Sequence, residues 1–383
     1  MSDEFKSKLA AYEKGELSDS ELEAFEKELD KLEEYQEYLE DTKTTERTFK
    51  SSNNDKRQKK ILKRGKWKAR IQTALTALAI FILFTIVSSV FTSIYYSWGT
   101  PDRVDVYRNI IDQTLTITNP YGVRGGTSTN GTPYFGLEAT RDLSKTVGHD
   151  TIDVGEMKVK FLFSMMGIPE QQNYGTVSQE TPTFTYPDMG SRGMSDWDQL
   201  EQLPEGTVVS AYLSFSELIE TEDVFPLFEE KNLDLLWLAV DTGEEEIVEP
   251  EGMIFEPVGF PSHPIWHDDD MVLQSREVEK TGFLGKVISE GSSSPDYQVG
   301  DQGVLHQQFL KTLAFLEKHE KKANNLIFGE LNLAQRIEYL ETNGFNHYGV
   351  VITGPTKEVL KLKEEQWVGE IEVDEVAFWN WQY

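Results

Sequence analysis

Residues 71–100 form an unbroken run with no charged side chain, and this run constrains the chain more than any other feature. Its apolar centre, 74–96, holds Leu75, Leu78, Ile80, Phe81, Ile82, Leu83, Phe84, Ile86, Val87, Val90, Phe91 and Ile94. At about 1.5 Å per residue this makes roughly 35 Å of helix, enough to cross the hydrocarbon core of a bilayer with some tilt. The flanks give it a direction. Nine Lys/Arg and no acid lie between Lys56 and Arg70, whereas Asp102, Arg103, Asp105 and Arg108 nearly cancel on the other side. The positive-inside bias therefore predicts residues 1–70 in the cytoplasm and residues 101–383 outside. Lys63, Arg64, Lys66, Trp67, Lys68 and Arg70 are the expected interface residues at the inner end, and Tyr95, Tyr96 and Trp98 at the outer end. Because the run lies far from the start of the chain, a cleaved leader is not expected.

Charge is distributed unevenly around this segment. The net charge is −29; residues 1–55 carry 17 acids and 8 bases, and the part beyond the apolar run 49 acids and 20 bases. Phosphates would repel both soluble parts, so direct nucleic-acid binding is not expected, while the basic run suits anionic lipid headgroups. The chain has no cysteine, which excludes thiol nucleophiles and thiolate metal sites. All six histidines lie beyond residue 100.

The inner part reads as helical. A short helix over 2–14 would place Phe5, Leu9 and Tyr12 on one face and stop at Gly15. Ser18 then precedes Glu21 with capping-box spacing, and Leu17 and Leu22 suit a hydrophobic staple. Leu22, Phe25, Leu29, Leu32 and Leu39 follow at heptad spacing, with Tyr35 beside the stripe. Two helices of this length cannot bury two apolar stripes on each other alone. A docking helix pair for a partner is the expectation, with a self-contained hairpin or a homodimeric coiled coil as the alternatives. Residues 42–60 read as a flexible tether.

Beyond the apolar run, residues 101–200 read as β-rich, with strands expected at 114–118, 134–139 and 157–164 and a long polar loop over 172–200. From 203 onward two strand–helix–strand units are predicted, at 207–215, 222–230 and 233–240, and at 347–353, 356–365 and 368–378. Amphipathic helices at 304–319 and 333–342 lie between them. The pattern suggests a split βαβ sheet. His263 and His267 stand four apart, but Pro261 and Pro264 argue against the helix that would converge their rings on a metal. The step from Gly354 to Lys357 lacks a phosphate cradle, and no nucleophile elbow or metalloprotease motif occurs. No catalytic residue, metal or cofactor is expected.

With these pieces in order, the chain resembles the sigma factor regulator family of low-GC Gram-positive bacteria, in particular membrane-bound anti-sigma factors of the anti-sigma-M type. At the N-terminus the resemblance rests on Glu4-Phe5-Lys6, Tyr12, Gly15-Glu16, Ala24-Phe25-Glu26, Leu29, Leu32-Glu33 and Tyr35-Gln36. At the C-terminus it rests on Leu203-Pro204-Glu205-Gly206-Thr207, Tyr212-Leu213-Ser214, Lys318-His319-Glu320-Lys321, Tyr348-Gly349, the run from Val351 to Glu358, and Trp379-Asn380-Trp381. It covers roughly residues 1–40 and 203–383. The resemblance implies an anti-sigma factor that holds an extracytoplasmic-function sigma factor at the inner membrane face. It also implies an outer domain that senses envelope state, and allows for a second small membrane protein. A membrane-anchored envelope-binding or scaffold protein without a sigma partner is the alternative. The expected architecture is a multi-part membrane protein. It comprises an all-α cytoplasmic module (1–41), a polar and basic juxtamembrane linker (42–70) and one transmembrane helix (71–98). Outside follow a β-rich extracytoplasmic region (101–200) and an α+β extracytoplasmic domain (203–383) whose C-terminal part is split βαβ-like.

Overall fold

The computed structural model of the chain describes residues 8, 11–12, 17–43, 53–120, 125–174, 182–187, 189, 195–248, 252–281 and 285–379. The chain divides into two units, Met1–Phe81 and Ile82–Tyr383. The first holds helix α1, Asp19–Lys43, and most of helix α2, Asn53–Tyr96. At 44 residues α2 is roughly 66 Å long. Within it, Lys59–Tyr96 is long and apolar enough to cross a membrane. The flexible tether expected over 42–60 is thus corrected in part. Residues 53–60 are helical, because Lys, Arg and Gln are good helix formers extending a helix that the apolar segment already nucleates. Residues 44–52 lie outside the described residues.

In the second unit, helix α3, Arg103–Thr118, opens with the Asp102 carboxylate accepting from the Asp105 amide at 2.9 Å. The strand expected at 114–118 is therefore the end of a helix. Ile and Thr favour strands, but Tyr107, Ile110, Ile111 and Leu115 recur at helical spacing and are buried against a sheet, and packing decided the outcome. Thr116 and Thr118 donate their hydroxyls to the carbonyls four residues back, at 2.8 and 2.7 Å. The sheet is antiparallel, built from β1 (Ser128–Thr132), β2 (Gly136–Val147), β3 (Asp150–Leu162), β4 (Met165–Met166) and β5 (Glu170–Asn173). Leu137, Ala139, Leu143, Met157, Val159 and Phe161 line its inner face. Each large apolar side chain removed from water here contributes about 1.5–3 kcal/mol.

The polar loop expected over 172–200 is also corrected in part. Phe184–Thr185 forms strand β6 and Trp197–Gln202 helix α4. A two-residue strand is too short to show a period, yet Phe184 is fully buried.

A larger sheet follows. Strand β7 (Thr207–Glu220) leads into α5 (Thr221–Glu229) and β8 (Asp234–Asp241). After the short strands β9 (Ile247–Val248), β10 (Met253–Ile254) and β11 (Gly259–Pro261) comes the hairpin of β12 (Val272–Thr281) and β13 (Gly285–Ser293), which was not among the sequence-based expectations. Helices α6 (Gln302–Glu317), α7 (Glu320–Ile327) and α8 (Leu333–Asn343) precede β14 (Asn346–Pro355), α9 (Thr356–Lys361) and β15 (Val368–Phe378). The strand order is β11-β8-β14-β7-β15, with every neighbouring pair antiparallel. Strands β7 and β8 are therefore parallel to each other with β14 between them, and β14 and β15 are parallel with β7 between them. Two βαβ units interleave in this way. Alternation divides the side chains between two cores. Val209, Ala211, Leu213, Leu238 and Val240 meet the helices, while Tyr212, Trp237, Ala239 and Val351 meet Phe184 and Ile254 on the other face. Burial on both faces explains why 207–215 reads as an apolar run rather than an alternating strand.

The two sheets are joined by buried polar contacts. Lys145 Nζ lies 2.6 Å from the Asp374 carboxylate, with side chains 4% and 0% exposed, and the Gly148 amide donates to Thr353 Oγ1 at 2.7 Å. Nearby in the larger core, His347 is fully buried. Its Nδ1 donates to the Ala239 carbonyl at 3.1 Å, so its Nε2 accepts from Thr221 at 2.8 Å. Burial pushes the His347 imidazole down to about 3 and that of His306, 2.7 Å from the same hydroxyl, down to about 4.

Two outcomes follow for stability. Lys145→Met leaves the Asp374 charge buried without its cation and should cost about 3–5 kcal/mol. Denaturant unfolding of the full chain in detergent checks this, and the double variant K145M/D374L should recover much of the loss. For His347 the unfolded chain binds the extra proton below its ordinary value near 6.5. Stability should therefore be full above that pH and fall progressively as the pH drops toward about 3. Thermal melts across this window should show a shallower slope in His347→Asn.

Candidate functional site

The inner module and the outer end of the long helix contain the residues to which the sequence assigns work. In the module, Glu21 reaches back to the N-terminus of α1. The Ser18 amide donates to its carboxylate at 3.1 Å and the Ser18 hydroxyl at 2.5 Å, which holds Glu21 below the usual carboxylate range. The Ser18 hydroxyl thus serves Glu21 instead of capping a backbone amide. Phe25 is 2% exposed and packs on Tyr12 with ring centroids 5.5 Å apart. Leu22 and Leu29 are half-buried, whereas Leu32 and Tyr35 are 40% and 62% exposed. The apolar stripe is therefore divided, with Phe25 consumed inside the module and the C-terminal half of the stripe open. Phe5, Leu9 and the Leu39 side chain lie outside the described residues.

The basic run does more than mark a membrane end. Lys59 pairs with Glu37 at 2.8 Å and Lys66 with Glu33 at 3.7 Å, so one acidic edge of α1 faces the start of α2. Lys59 holds the Glu37 carboxyl below its usual range. Lys63, Arg64, Trp67, Lys68 and Arg70 are exposed along α2.

At the other end of α2, one helical face carries Thr85, Ser88, Thr92 and Tyr96, and two tips of the smaller sheet close on it. The Tyr134 amide donates to Ser88 Oγ at 2.7 Å and the Phe135 amide to Thr92 Oγ1 at 2.8 Å. The Tyr134 and Thr85 hydroxyls meet at 2.8 Å. The Tyr96 hydroxyl donates to the Phe135 carbonyl at 2.9 Å and to that of Phe163 at 3.2 Å. Phe135 stacks on Phe163 at 4.4 Å, and both meet the Tyr95 ring edge-on. Tyr134, Phe135 and Phe163 all have positive φ, of 65, 62 and 54°. Non-glycine residues hold that conformation at a cost of order 1–3 kcal/mol, which the surrounding contacts must offset.

This grip engages two of the three residues expected at the outer interface. Tyr96 is 2% exposed and Tyr95 half-buried beneath the Arg103 guanidinium, 4.4 Å from its ring, so both belong to the outer domain's packing. Trp98, at 69%, stays exposed. The hydroxyl stripe at 85, 88 and 92 was visible as helical spacing inside an apolar segment, but nothing in the chain alone showed what it binds. His267, considered for a metal, has its Nδ1 3.1 Å from Gln113 Nε2 and its Nε2 3.0 Å from Thr312 Oγ1. Both ring nitrogens therefore serve internal hydrogen bonds.

A helix long and apolar enough to cross a membrane, with its last turns built into an α+β domain and a small acidic helical module preceding it, is the arrangement of a membrane-anchored protein with two soluble parts. Two family models match the chain, "Sigma factor regulator C-terminal" over residues 200–375 and "Sigma factor regulator N-terminal" over residues 59–152. The chain belongs to the sigma factor regulator family, a regulatory and non-catalytic class. It is 30% identical over 388 aligned positions to the protein described as probable anti-sigma-M factor YhdL of Bacillus subtilis (strain 168), with the whole of both chains covered. No solved structure matches. The N-terminal family region takes in most of α2, α3 and the first strands, a stretch in which no individual motif carried the resemblance. Residues 1–58 fall outside both family models and are covered by the full-length relative.

The grip is open to a direct test. Thr92→Val keeps the side-chain shape but orphans the Phe135 amide, at a cost of about 1–3 kcal/mol. Hydrogen exchange at Phe135 in the detergent-solubilised chain should quicken accordingly, with exchange in β7 and β14 unchanged.

Proposed function

We propose that this chain is a single-pass membrane anti-sigma factor. Its inner helices hold an extracytoplasmic-function sigma factor at the inner membrane face, and its outer domain reads the state of the envelope. The observation that carries this reading is an open apolar half-stripe on α1, around Leu32 and Tyr35, in a member of the sigma factor regulator family. Inside water such a stripe favours burial against a partner, and the acids beside it favour a partner with basic patches. The basic run over 56–70 supports an N-terminus in the cytoplasm. Anionic inner-leaflet lipid is its expected second ligand.

The grip on α2 supports a means of transmission. Contacts from Thr85 to Tyr96 occupy three turns of one face, so the helix cannot swivel freely against the outer domain. A change in the outer domain's seating is then a displacement or rotation of the helix, which reaches the inner module through continuous backbone. Cleavage of the helix is the other route, and a second small membrane protein could engage either one.

The test is capture of the sigma factor by the full chain. Leu32→Asp and Tyr35→Asp, both at exposed positions, should each weaken capture by about 2–4 kcal/mol while leaving helicity and membrane insertion intact. Sigma-dependent transcription should rise to match. Phe25→Asp should also release the partner, but with loss of the module's own helicity, because Phe25 is internal. Retained capture in the Leu32 and Tyr35 variants would place the docking face elsewhere. If the wild-type chain recovers no sigma factor and deletion of 1–55 leaves function intact, the scaffold reading replaces this one.

A further inference from the structure

We propose that the tips of the smaller outer sheet, residues 133–135 and 162–168, are themselves seated in the outer leaflet of the bilayer. The outer domain is then membrane-inserted and not merely tethered. This rests on the reading of α2 as a spanning helix.

Depth is the first argument. Twenty residues counted from Ile71, the first after the basic run, span about 30 Å, the thickness of a hydrocarbon core, and end at Val90. Thr85 and Ser88 therefore lie roughly 3–8 Å inside its outer edge. Tyr134 is hydrogen-bonded to both, through its hydroxyl and its amide. A tip attached at that depth displaces lipid.

The second argument is chemical. Residues 131–136 and 161–169 contain no charged side chain, in a domain otherwise dense with acids. Tyr134, Leu162, Phe163, Met165 and Ile168 are 42, 47, 40, 61 and 81% exposed, an unusual density of bare apolar side chains on two adjacent tips. Backbone polar groups that enter lipid must be satisfied within the protein. The Tyr134 and Phe135 amides and the Phe135 and Phe163 carbonyls all are, by Ser88, Thr92 and Tyr96.

The third is the rim. Lys160 and Glu170 bound the second tip and neutralise each other at 3.1 Å. Lys321 lines a cleft of about 770 Å³ beside residues 166–169, with Glu330 also on its wall, and Lys322 stands over the Tyr107 ring at 5.7 Å. Apolar side chains at the tips with lysines behind them suit insertion to roughly 5–10 Å beneath headgroups.

The absence of native cysteine makes the test clean. Tyr134→Cys and Met165→Cys, each carrying a polarity-sensitive fluorophore, are compared with Leu83→Cys at an exposed position of α2 and Glu364→Cys at an exposed, charged turn after α9. The full chain is reconstituted into phosphatidylcholine–phosphatidylglycerol vesicles containing lipids spin-labelled at shallow or deep acyl positions. Probes at 134 and 165 should be blue-shifted and lose most of their emission to the shallow label. The probe at 83 should respond to the deep label, and that at 364 to neither. If 134 and 165 behave like 364 while 83 is quenched, the helix spans but the tips are not in lipid, and the proposal is overturned. If 83 is unquenched, the spanning reading fails and takes the proposal with it.

Discussion

A row of hydroxyls on an apolar helix organises the rest of this molecule. Ser88 and Thr92 accept from two backbone amides of one β-turn, and Tyr96 donates to carbonyls of that turn and of the next hairpin. In water such bonds are worth little net, because solvent competes for both partners. Where the surrounding packing excludes water the alternative is an unmet polar group, so the same bonds gain weight. Three aromatic residues can consequently be held at positive φ, and the smaller sheet is fixed to the helix instead of hanging from a linker. Helix α3 then packs on that sheet, and the Lys145–Asp374 pair and the Gly148–Thr353 bond carry the order onward into the larger sheet.

Legibility in the sequence followed the strength of periodic signals. The strand–helix–strand units from 207 and 346 were clear, because long apolar runs and Gly/Asn stops leave few alternatives. The strand expected at 114–118 was misleading, since Ile and Thr suit strands when taken alone and only the sheet beneath makes α3 preferable. Phe184 was unreadable for a different reason. Its strand spans two residues, and only the aromatic cluster of Tyr212, Trp237 and Tyr348 shows why one phenylalanine is buried in a polar stretch. For the aromatic residues at the end of the long helix the sequence could not separate an interfacial belt from an intramolecular clamp, since both use the same residue types. Trp98 remains exposed while Tyr96 does not, a difference set by what lies across from each.

The inner module shows how a stripe seen in sequence can divide by role. Heptad spacing made Leu22, Phe25, Leu29 and Leu32 equivalent, yet Tyr12 covers Phe25 and leaves Leu32 and Tyr35 open. Glu33 and Glu37 meet Lys66 and Lys59, so the acidic edge and the basic run are internal partners. Exposed pairs of this kind are weak and salt-sensitive. They orient α1 without locking it, which suits a module that must open toward a partner.

The two ends of the helix differ in the kind of contact that holds them, an asymmetry that suits the proposed transmission. Over its last three turns the helix is held by side-chain hydrogen bonds to two sheet tips and by ring contacts of Tyr95 with Phe135 and Phe163. At the inner end it meets α1 through solvated ion pairs, which break and re-form at little cost. Under the proposed function, a rotation or shift of the helix would be felt first where its contacts are weakest, at the acidic edge of α1. The open residues Leu32 and Tyr35 lie next to that edge. A partner bound there would feel the displacement directly, and by reciprocity its binding would resist the same displacement from inside.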